Sequence, residues 1–480
     1  MPPASAPPPS PASPGLLPTL NRWQVLLYGL GSMLGAGIYA LVGRAAESLG
    51  NAVWLAFLAA MVAALLTGLS YACVGGRYPR AGGASFVTQR ALGWPILSYV
   101  VGVAVMMSGL TSMAAGSQAI AENFLKGASQ IPGLQASIAA LESEGHTTPA
   151  TQLIAIVIVF LVGGVIYRGI KESMWVNVLC TVIEAIGLLF IIVVGLRFWG
   201  GVDYFEIPPP VPSSTGGGAA TGITLALVLQ GAVLMFFSFI GFEDILNVSE
   251  EVKNPKRDIP FGLIGAMILA TLIYMGVAIT AVSVVPWREL AASKTPLMEV
   301  AHRAAPWFTG IDKVYLAVTI FAIGNTALLN YLMGSRLLYG MSRQGLMPQI
   351  LGKLHPIRRT PSTAIMVLFV IVTLLILSGG VKPLAEATVL LLLTVFTVVN
   401  ISLIVLKRRK GEATDGFDVP LLVPILGALV CALLIFVRVQ KAVTSSDPAQ
   451  STAPLIALAV FALSLVLYTI LKPKNPIIAD

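Results

Sequence analysis

The stretch that decides the fold is "GSMLGAGIYALVG" at residues 31–43, near the start of a long apolar run. Three glycines and a serine fall within its first seven positions. A glycine inside a helix costs about 1 kcal/mol relative to alanine. The run is long enough to cross a bilayer, where no water can hydrogen-bond a loosened backbone. We therefore predict an interrupted membrane helix whose freed backbone groups face a polar cavity.

The composition indicates an integral membrane protein. Of 480 residues, 56% are hydrophobic and 11% are charged, whereas a soluble protein carries about 25% charged residues. Apolar blocks recur along the sequence, and we predict about twelve transmembrane helices of about 20 residues each. They lie near 23–47, 51–75, 93–123, 150–168, 174–199, 221–249, 261–286, 312–342, 362–379, 384–406, 420–440 and 453–471.

The positive charges predict orientation rather than nucleic-acid binding. The net charge is +8, but Lys and Arg cluster in short loops between the predicted spans, as in "KRRK" at 407–410, and are nearly missing from the loops at 124–149 and 200–220. The positive-inside rule then predicts an integral protein of the cell (inner or plasma) membrane with both termini in the cytoplasm. We expect a disordered cytoplasmic tail at 1–20, a core of spans one to ten at 21–410, and spans eleven and twelve with the C-terminal tail at 411–480.

A second irregular span is predicted at "VLMFFSFIGFEDILNVSEE", residues 233–251, where Gly241, Glu243 and Asp244 stand in an apolar setting. It lies five predicted spans after the first irregular helix. An odd spacing makes equivalent helices run in opposite directions, which is typical of an inverted repeat, spans 1–5 against 6–10, with a broken helix leading each half.

The two predicted breaks suit a zwitterion. The N-terminus of a half-helix attracts a negative group and the C-terminus attracts a positive one. An α-amino acid carries both charges on one carbon. The alternative is close packing, because Gly31 and Gly35 have the spacing of a small-xxx-small helix contact, which needs no ligand.

Four motifs carry a family resemblance. They are the stretch at 31–43, "YPRAGGASFVTQRALG" at 78–93, "FSFIGFEDILNVSEEVKNPKRDIP" at 237–260 and "SRLLYGMSRQGLMP" at 335–348. With them the chain resembles the amino acid–polyamine–organocation (APC) transporters, especially the cationic-amino-acid-transporter branch and its bacterial relatives. The resemblance implies an all-α integral membrane protein with a LeuT-like 5+5 inverted repeat, about 12 transmembrane helices, and helices 1 and 6 broken at mid-membrane.

The resemblance also implies a substrate site made mostly of backbone groups. The substrate carboxylate would meet N–H groups of Ala36, Gly37 and Ile38. The ammonium would meet carbonyls of the residues Met33, Leu34, Phe237, Phe239 and Ile240. Phe237 matches an aromatic lid, although aromatic residues in membrane spans often only pack. Thr326 and Asn330, spaced i, i+4, would line the side-chain pocket, with Met107 and Thr111 as weaker candidates.

Two glutamates within predicted spans are candidates for proton coupling or gating, since charge at bilayer depth is expensive. Glu243 follows the Gly241 break, where burial disfavours the charged form and favours proton uptake. A permanently hydrogen-bonded carboxyl that braces helix 6 is the alternative. Glu184 stands where several proton-coupled relatives carry a lysine. It could bind the proton, pair with a cationic substrate, help to hold a cation, or be a neutral hydrogen-bonded acid.

The loops after the third and fourth motifs suggest an inner gate. Glu250 and Glu251 would pair with basic residues of these loops when the inner side closes, and a solvated loop that only fixes topology is the alternative. The basic candidates are Lys253, Lys256, Arg257 and Arg343.

The function predicted from these observations is secondary active amino acid transport, with proton-coupled uptake by alternating access. Exchange, or transport of amines or polyamines, is the first alternative, and a non-transporting amino acid sensor is a second. No GxxxxGK[ST] phosphate loop occurs in the sequence, so ATP is not expected to drive transport directly. We predict no enzyme activity, no cofactor and no metal. The expected partners are the amino acid, protons and the lipid bilayer, and whether an accessory subunit takes part stays open.

Overall fold

The computed structural model describes residues 15–128, 149–208, 223–293, 295–377, 381–412, 415–444, 448–471 and 473. These residues are mostly helical and contain no strand element. The α-helices in chain order are α1 Arg22–Leu34, α2 Ala36–Leu49, α3 Val53–Arg77, α4 Gly83–Leu92, α5 Pro95–Ala128, α6 Pro149–Arg168, α7 Ile170–Gly195, α8 Leu225–Phe236, α9 Pro255–Val284, α10 Trp287–Ala292, α11 Pro296–Ala304, α12 Ile311–Arg343, α13 Ser362–Leu377, α14 Val381–Arg408, α15 Leu422–Thr444 and α16 Pro448–Leu471.

The all-helical membrane class predicted from composition is confirmed. Within the described ranges, ten helical segments are long and apolar enough to cross a membrane. The first predicted span is not among them as one helix, because it is divided between α1 and α2. The ninth predicted span corresponds to α13, which has only 16 residues. The count of twelve spans and the 5+5 repeat stay predictions.

The start of α1 is fixed by a local capping box. The side-chain oxygen of Asn21 accepts hydrogen bonds from the backbone N–H groups of Trp23 and Gln24, both at 3.0 Å. The Gln24 side chain accepts in turn from the Asn21 N–H at 3.1 Å. This reciprocal pairing satisfies N–H groups that the first turn of a helix leaves without partners.

The first half-helix occupies the centre of the bundle. α1 packs against α7, α9 and α12, and α12 packs in turn against α5. α15 and α16 contact mainly α14, α3 and α5, and most of their apolar surface is open to the surroundings. This arrangement surrounds the glycine-rich stretch of α1 with other helices rather than lipid.

The N-terminal segment is bound to the end of the sixth predicted span. The N–H groups of Thr19 and Leu20 both donate to the carbonyl of Glu251 at 2.8 Å, and the N–H of Lys253 donates to the carbonyl of Leu20 at 2.9 Å. We call this contact the N-terminal bridge. Leu16 and Leu20 are buried, so the predicted disorder of the tail at 1–20 does not extend over its last residues.

Several predicted features lie outside the described residues. They are the first 14 residues of the tail, most of the predicted outer loop at 124–149, the part of the 200–220 loop from residue 209, and most of the C-terminal tail.

Candidate functional site

The first break is confined to one residue. α1 ends at Leu34, α2 begins at Ala36, and Gly35 between them has φ −45° and ψ −156°. No side chain caps the N-terminus of α2, so its first N–H groups stay available to an anion. A Cβ on Gly35 would lie 2.1 Å from the hydroxyl oxygen of Thr326. The eighth predicted span, α12, therefore packs directly on this break.

The second break is longer. α8 ends at Phe236 and is followed by one 3₁₀ turn, Phe237–Phe239. Gly241 then has φ +124° and ψ −21°, and a 3₁₀ helix continues over Phe242–Glu251. Residues other than glycine rarely adopt this φ, so Gly241 allows the chain to turn between the two 3₁₀ segments.

The two breaks touch and run antiparallel. A Cβ on Gly241 would lie 2.6 Å from the carbonyl oxygen of Ser32, and a Cβ on Gly37 would lie 3.1 Å from the Cα of Ser238. The Ser32 hydroxyl donates to the Asp244 carboxylate at 2.8 Å. Gly31 lies against Thr181 of α7. Gly31 is therefore a close-packing contact between helices, as the alternative interpretation of the glycine spacing expected. The interruption of the helix lies at Gly35.

A tyrosine that the sequence did not single out joins the two breaks. The Tyr274 hydroxyl on α9 lies 2.9 Å from the carbonyl of Ser238 and also contacts the carbonyl of Met33. A hydroxyl has a single proton, so it can donate to one carbonyl at a time. Both carbonyls belong to interrupted backbone, which needs partners when it is buried.

A cavity of about 60 Å³ lies between the breaks. Backbone and side chains of both interrupted spans form one side of it, and α5, α12 and α14 form the other. The lining residues are Ser32, Met33, Gly35, Gly37, Ser108, Ser112, Phe237, Ile240, Gly241, Glu243, Asp244, Thr326, Asn330, Met333 and Thr388.

The predicted binding residues divide into two groups. Six of them line the cavity, namely Met33, Gly37, Phe237, Ile240, Thr326 and Asn330, and so does Glu243, which was predicted for proton coupling or gating. Leu34, Ile38 and Phe239 are buried and are not among the lining residues. Leu34 and Ile38 flank the first break, and Phe239 packs edge-on against the Tyr274 ring with centroids 5.5 Å apart. Ala36 begins α2, and its side chain lies outside the described part.

On α5 the structure corrects the prediction by one residue. Ser108 and Ser112 line the cavity, whereas Met107 and Thr111 do not. Thr111 donates to the carbonyl of Met107 at 2.8 Å, and its hydroxyl lies 3.3 Å from that of Thr388 on α14. The rotation of this helix could not be predicted, because α5 is apolar nearly all round and carries small residues on several faces.

The two candidate glutamates have different surroundings. Glu243 accepts a hydrogen bond from the N–H of Gly241 at 2.8 Å and lines the cavity. Glu184 on α7 is fully buried, and neither carboxyl oxygen has a hydrogen-bond partner among the described residues. It interacts electrostatically with Tyr39 and Tyr274. It therefore lies behind the break of the first span, outside the cavity lining.

A polar chain precedes Glu184 along the same face of α7. The Thr181 hydroxyl donates to Asn177 at 3.2 Å, and the Asn325 amide of α12 donates to Thr181 at 3.1 Å. The same amide reaches the carbonyl of Gly31 at 3.5 Å. These contacts connect α1, α7 and α12 through neutral groups, so the cluster holds no fixed charge besides Glu184.

A buried ion pair that was not predicted from the sequence joins α12 to the end of the sixth span. Arg336 of α12 donates to both carboxylate oxygens of Glu251, at 3.0 and 3.1 Å, and both side chains are buried. Removing one partner of such a buried pair costs about 3–5 kcal/mol. An arginine inside an apolar span, here Arg336, was the signal available from the sequence, since it requires an acidic partner.

Other residues of the predicted inner gate have different partners. Glu250 interacts with Arg80 and Arg343, and Lys256 pairs with Asp415.

A larger groove of about 620 Å³ lies elsewhere, between α5, α14 and α16. Its walls are apolar side chains such as Trp94, Leu97 and Phe461. It offers no charged group for a zwitterion, so the smaller cavity between the breaks is the better candidate for the site.

Two touching helix breaks that enclose a polar cavity inside a helical membrane bundle define a membrane transport protein. The model of the amino acid permease family matches residues 20–466, and the chain belongs to that family.

Three relatives show how far the likeness extends. The branched-chain amino acid permease BcaP of Bacillus subtilis is 29% identical over 429 residues, which cover 87% of each chain. The methylthioribose transporter of the same organism is 28% identical, covering 87% of this chain and 88% of the relative. The vacuolar cationic amino acid transporter 2 of Arabidopsis thaliana is 30% identical, covering 79% of this chain and 58% of the relative. The predicted family is thereby confirmed, and the chain is a transporter rather than an enzyme.

Proposed function

We propose that this chain takes up an amino acid across the cell membrane by alternating access, and that protons binding in the sixth span drive the uptake. One observation carries the proposal. Two antiparallel breaks enclose a cavity that brings together an uncapped helix N-terminus and two carboxyl groups.

The main-chain groups of the substrate would be held by backbone dipoles. The carboxylate would lie against the first N–H groups of α2, at Ala36, Gly37 and Ile38, where the helix dipole favours an anion. The ammonium would face the C-terminal end of α8 and the carbonyls around Phe237 and Ile240. In this arrangement Tyr274 holds the carbonyls of Met33 and Ser238 in place and acts as a positioning residue.

The coupling proton would be carried by Glu243. Its carboxyl group lines the cavity next to Asp244, and two neighbouring carboxyls in a confined site disfavour double ionisation. The Gly241 N–H donates to the Glu243 carboxyl, and the Ser32 hydroxyl donates to the Asp244 carboxyl. Glu184, which is buried and has no hydrogen-bond partner among the residues that the structure describes, is the second candidate.

Alternating access needs a closure that can open. The Arg336–Glu251 pair joins α12 to the end of the sixth span and would form the inner closure. We place that end and both termini on the cytoplasmic side, because the basic run Lys407–Lys410 lies at the matching end of α14.

The direct test is uptake into proteoliposomes with and without an inward proton gradient. We expect an amino acid to accumulate only with the gradient, and a protonophore to abolish the accumulation. Uptake that requires a preloaded amino acid and ignores the gradient would indicate an exchanger. Competition by amines without a carboxylate would indicate an amine or polyamine transporter, and saturable binding without accumulation would indicate a sensor.

The Glu243→Gln variant tests the proton carrier. We expect wild-type uptake to rise as the outside becomes more acidic and the uptake of the variant to stay flat between about pH 5 and 8, because glutamine cannot take up a proton. Glu47→Gln, on the exposed face of α2, is the matched control and should keep the wild-type profile. An unchanged profile in Glu243→Gln would transfer the proposed role to Glu184.

A further inference from the structure

The cavity has a second side, which the two breaks do not form. Ser108 and Ser112 come from α5, Asn330 and Met333 from α12, and Thr388 from α14. If the breaks hold the carboxylate and the ammonium of the substrate, its side chain must lie against these residues. This set, which we call the side-chain wall, therefore decides which amino acid fits.

The side-chain wall has hydrogen-bonding capacity that the protein does not use. Within the described residues, the hydroxyl groups of Ser108 and Ser112 and the amide of Asn330 make no hydrogen bond. Thr388, in contrast, is hydrogen-bonded to Thr111. A polar group that stays unpaired when a ligand covers it loses its hydrogen bonds to water, at about 1–3 kcal/mol. The wall thus favours a side chain that can donate or accept a hydrogen bond.

The charges around the cavity favour a neutral side chain. No Lys, Arg or His lines the cavity in the described part of the chain, so an acidic side chain would find no partner. Glu243 and Asp244 lie on the side of the sixth-span break, where the Gly241 N–H and the Ser32 hydroxyl already contact them. Among the described residues, the side-chain wall itself contributes no acidic group that would pair with a cationic side chain.

The size of the cavity favours a small ligand. A volume of about 60 Å³ corresponds to roughly four to six water positions, at about 10–15 Å³ for each. Serine and threonine have slightly more heavy atoms than that, whereas arginine, lysine and phenylalanine have many more. Large side chains would require α5, α12 and α14 to move apart.

We propose that the preferred substrate is a small neutral amino acid with a side-chain hydroxyl, serine or threonine, and that Asn330 and Ser112 form hydrogen bonds with this hydroxyl. This specificity rests on the proposed function, because it assumes that the two breaks bind the carboxylate and the ammonium. Valine is the decisive competitor, since it has the shape of threonine with a methyl group in place of the hydroxyl. A site built to hydrogen-bond a hydroxyl rejects the analogue without it.

The experiment compares threonine with valine, and serine with 2-aminobutyrate, as competitors of labelled uptake in proteoliposomes and as ligands that raise the melting temperature in detergent. We expect threonine to bind at least about 10-fold more tightly than valine. Asn330→Leu, of nearly the same size, should bring the two affinities within about 2-fold of each other. Thr397→Val on α14, whose hydroxyl donates to Leu393 outside the cavity, is the control and should keep the preference.

Ser112→Ala removes a single oxygen and keeps the test valid if Asn330→Leu does not fold. It should lower the threonine-to-valine ratio several-fold. If valine, leucine or lysine binds the wild-type protein as tightly as threonine does, the specificity is overturned while amino acid transport stands. If none of these amino acids binds or is taken up, the proposed function itself fails.

Discussion

The two helix breaks interrupt their spans by different local structures. In the first span one residue, Gly35, separates two α-helices, and its φ of −45° is negative, outside the left-handed range. In the sixth span the chain passes through a 3₁₀ turn, Gly241 at φ +124° and a second 3₁₀ helix. The first break thus needs a glycine for space, because Thr326 lies against it, and the second needs one for both space and backbone conformation.

This difference indicates at which break a second substitution can relieve the clash that a new side chain would cause. The obstacle at Gly35 is a side chain, which another substitution can remove. The obstacle at Gly241 is the backbone carbonyl of Ser32 together with a left-handed φ, and no second substitution removes either. The sixth-span break should therefore be the less tolerant of the two.

The largest effect is expected for Gly241→Ala. A non-glycine residue at this φ costs about 1–3 kcal/mol, and its Cβ would lie 2.6 Å from the Ser32 carbonyl. We expect loss of substrate binding and a clearly lower melting temperature, measured in detergent with and without amino acid. Gly164→Ala on α6 is the matched control, since nothing lies within 4 Å of its Cβ position. Normal binding by Gly241→Ala would remove the distinction between the breaks.

Gly35→Ala should be damaging but repairable. The new Cβ would lie 2.1 Å from the Thr326 hydroxyl oxygen, and overpacking of this kind costs about 1–3 kcal/mol. We expect the double variant Gly35→Ala/Thr326→Ala to recover a substantial part of the lost stability. The measurement is a double-mutant cycle of melting temperatures that includes Thr326→Ala alone. Strictly additive losses would mean that Thr326 is not the obstacle.

Tyr274→Phe should weaken both breaks together. It removes the donor shared by the Met33 and Ser238 carbonyls, and a buried acceptor left unpaired costs about 1–3 kcal/mol. We expect lower stability and weaker substrate affinity, from melting curves and binding titrations. Tyr331→Phe removes a similar tyrosine–carbonyl bond, to Ile365 at 2.7 Å outside the cavity. It should lower stability without changing affinity, and an equal loss of affinity in both variants would contradict the role of Tyr274.

The smallest effect is expected far from both breaks, at Glu412. Burial alone would raise the pKa of Glu412, but hydrogen bonds from Tyr78 at 2.9 Å and Arg90 at 3.0 Å outweigh it and hold the pKa below its usual value near 4.5. A lowered pKa means that the charged form stabilises the fold above the unfolded-state pKa and that this gain is lost as pH falls through the folded-state pKa. Glu412→Gln should therefore cost up to about 1 kcal/mol at pH 7.

The pH dependence of that loss is the check. The stability difference between Glu412→Gln and the wild type should shrink as pH falls below about 4, and substrate affinity at pH 7 should be unchanged. A change in affinity would show that this loop communicates with the breaks.

Sequence reasoning located the two breaks because their signals are local. Glycine within an apolar run and the acidic pair after Gly241 are visible without any partner residue. The family motifs then indicated the backbone groups at Gly37 and Ile240. What escaped prediction depends on how helices are rotated against each other: Ser112 rather than Thr111 on α5, Thr388 on α14, and Tyr274 on α9. No periodicity in these apolar helices marks the face that meets the cavity.

The N-terminal bridge has a practical consequence. Glu251 uses its carbonyl to hold Thr19 and Leu20 and its carboxylate to hold Arg336. A truncation that deletes residues 1–20 would remove two donors from a residue that also anchors α12, and so would disturb the position of that helix. A fluorescent protein or affinity tag fused ahead of residue 15 leaves those bonds intact and is the safer choice for labelling the molecule.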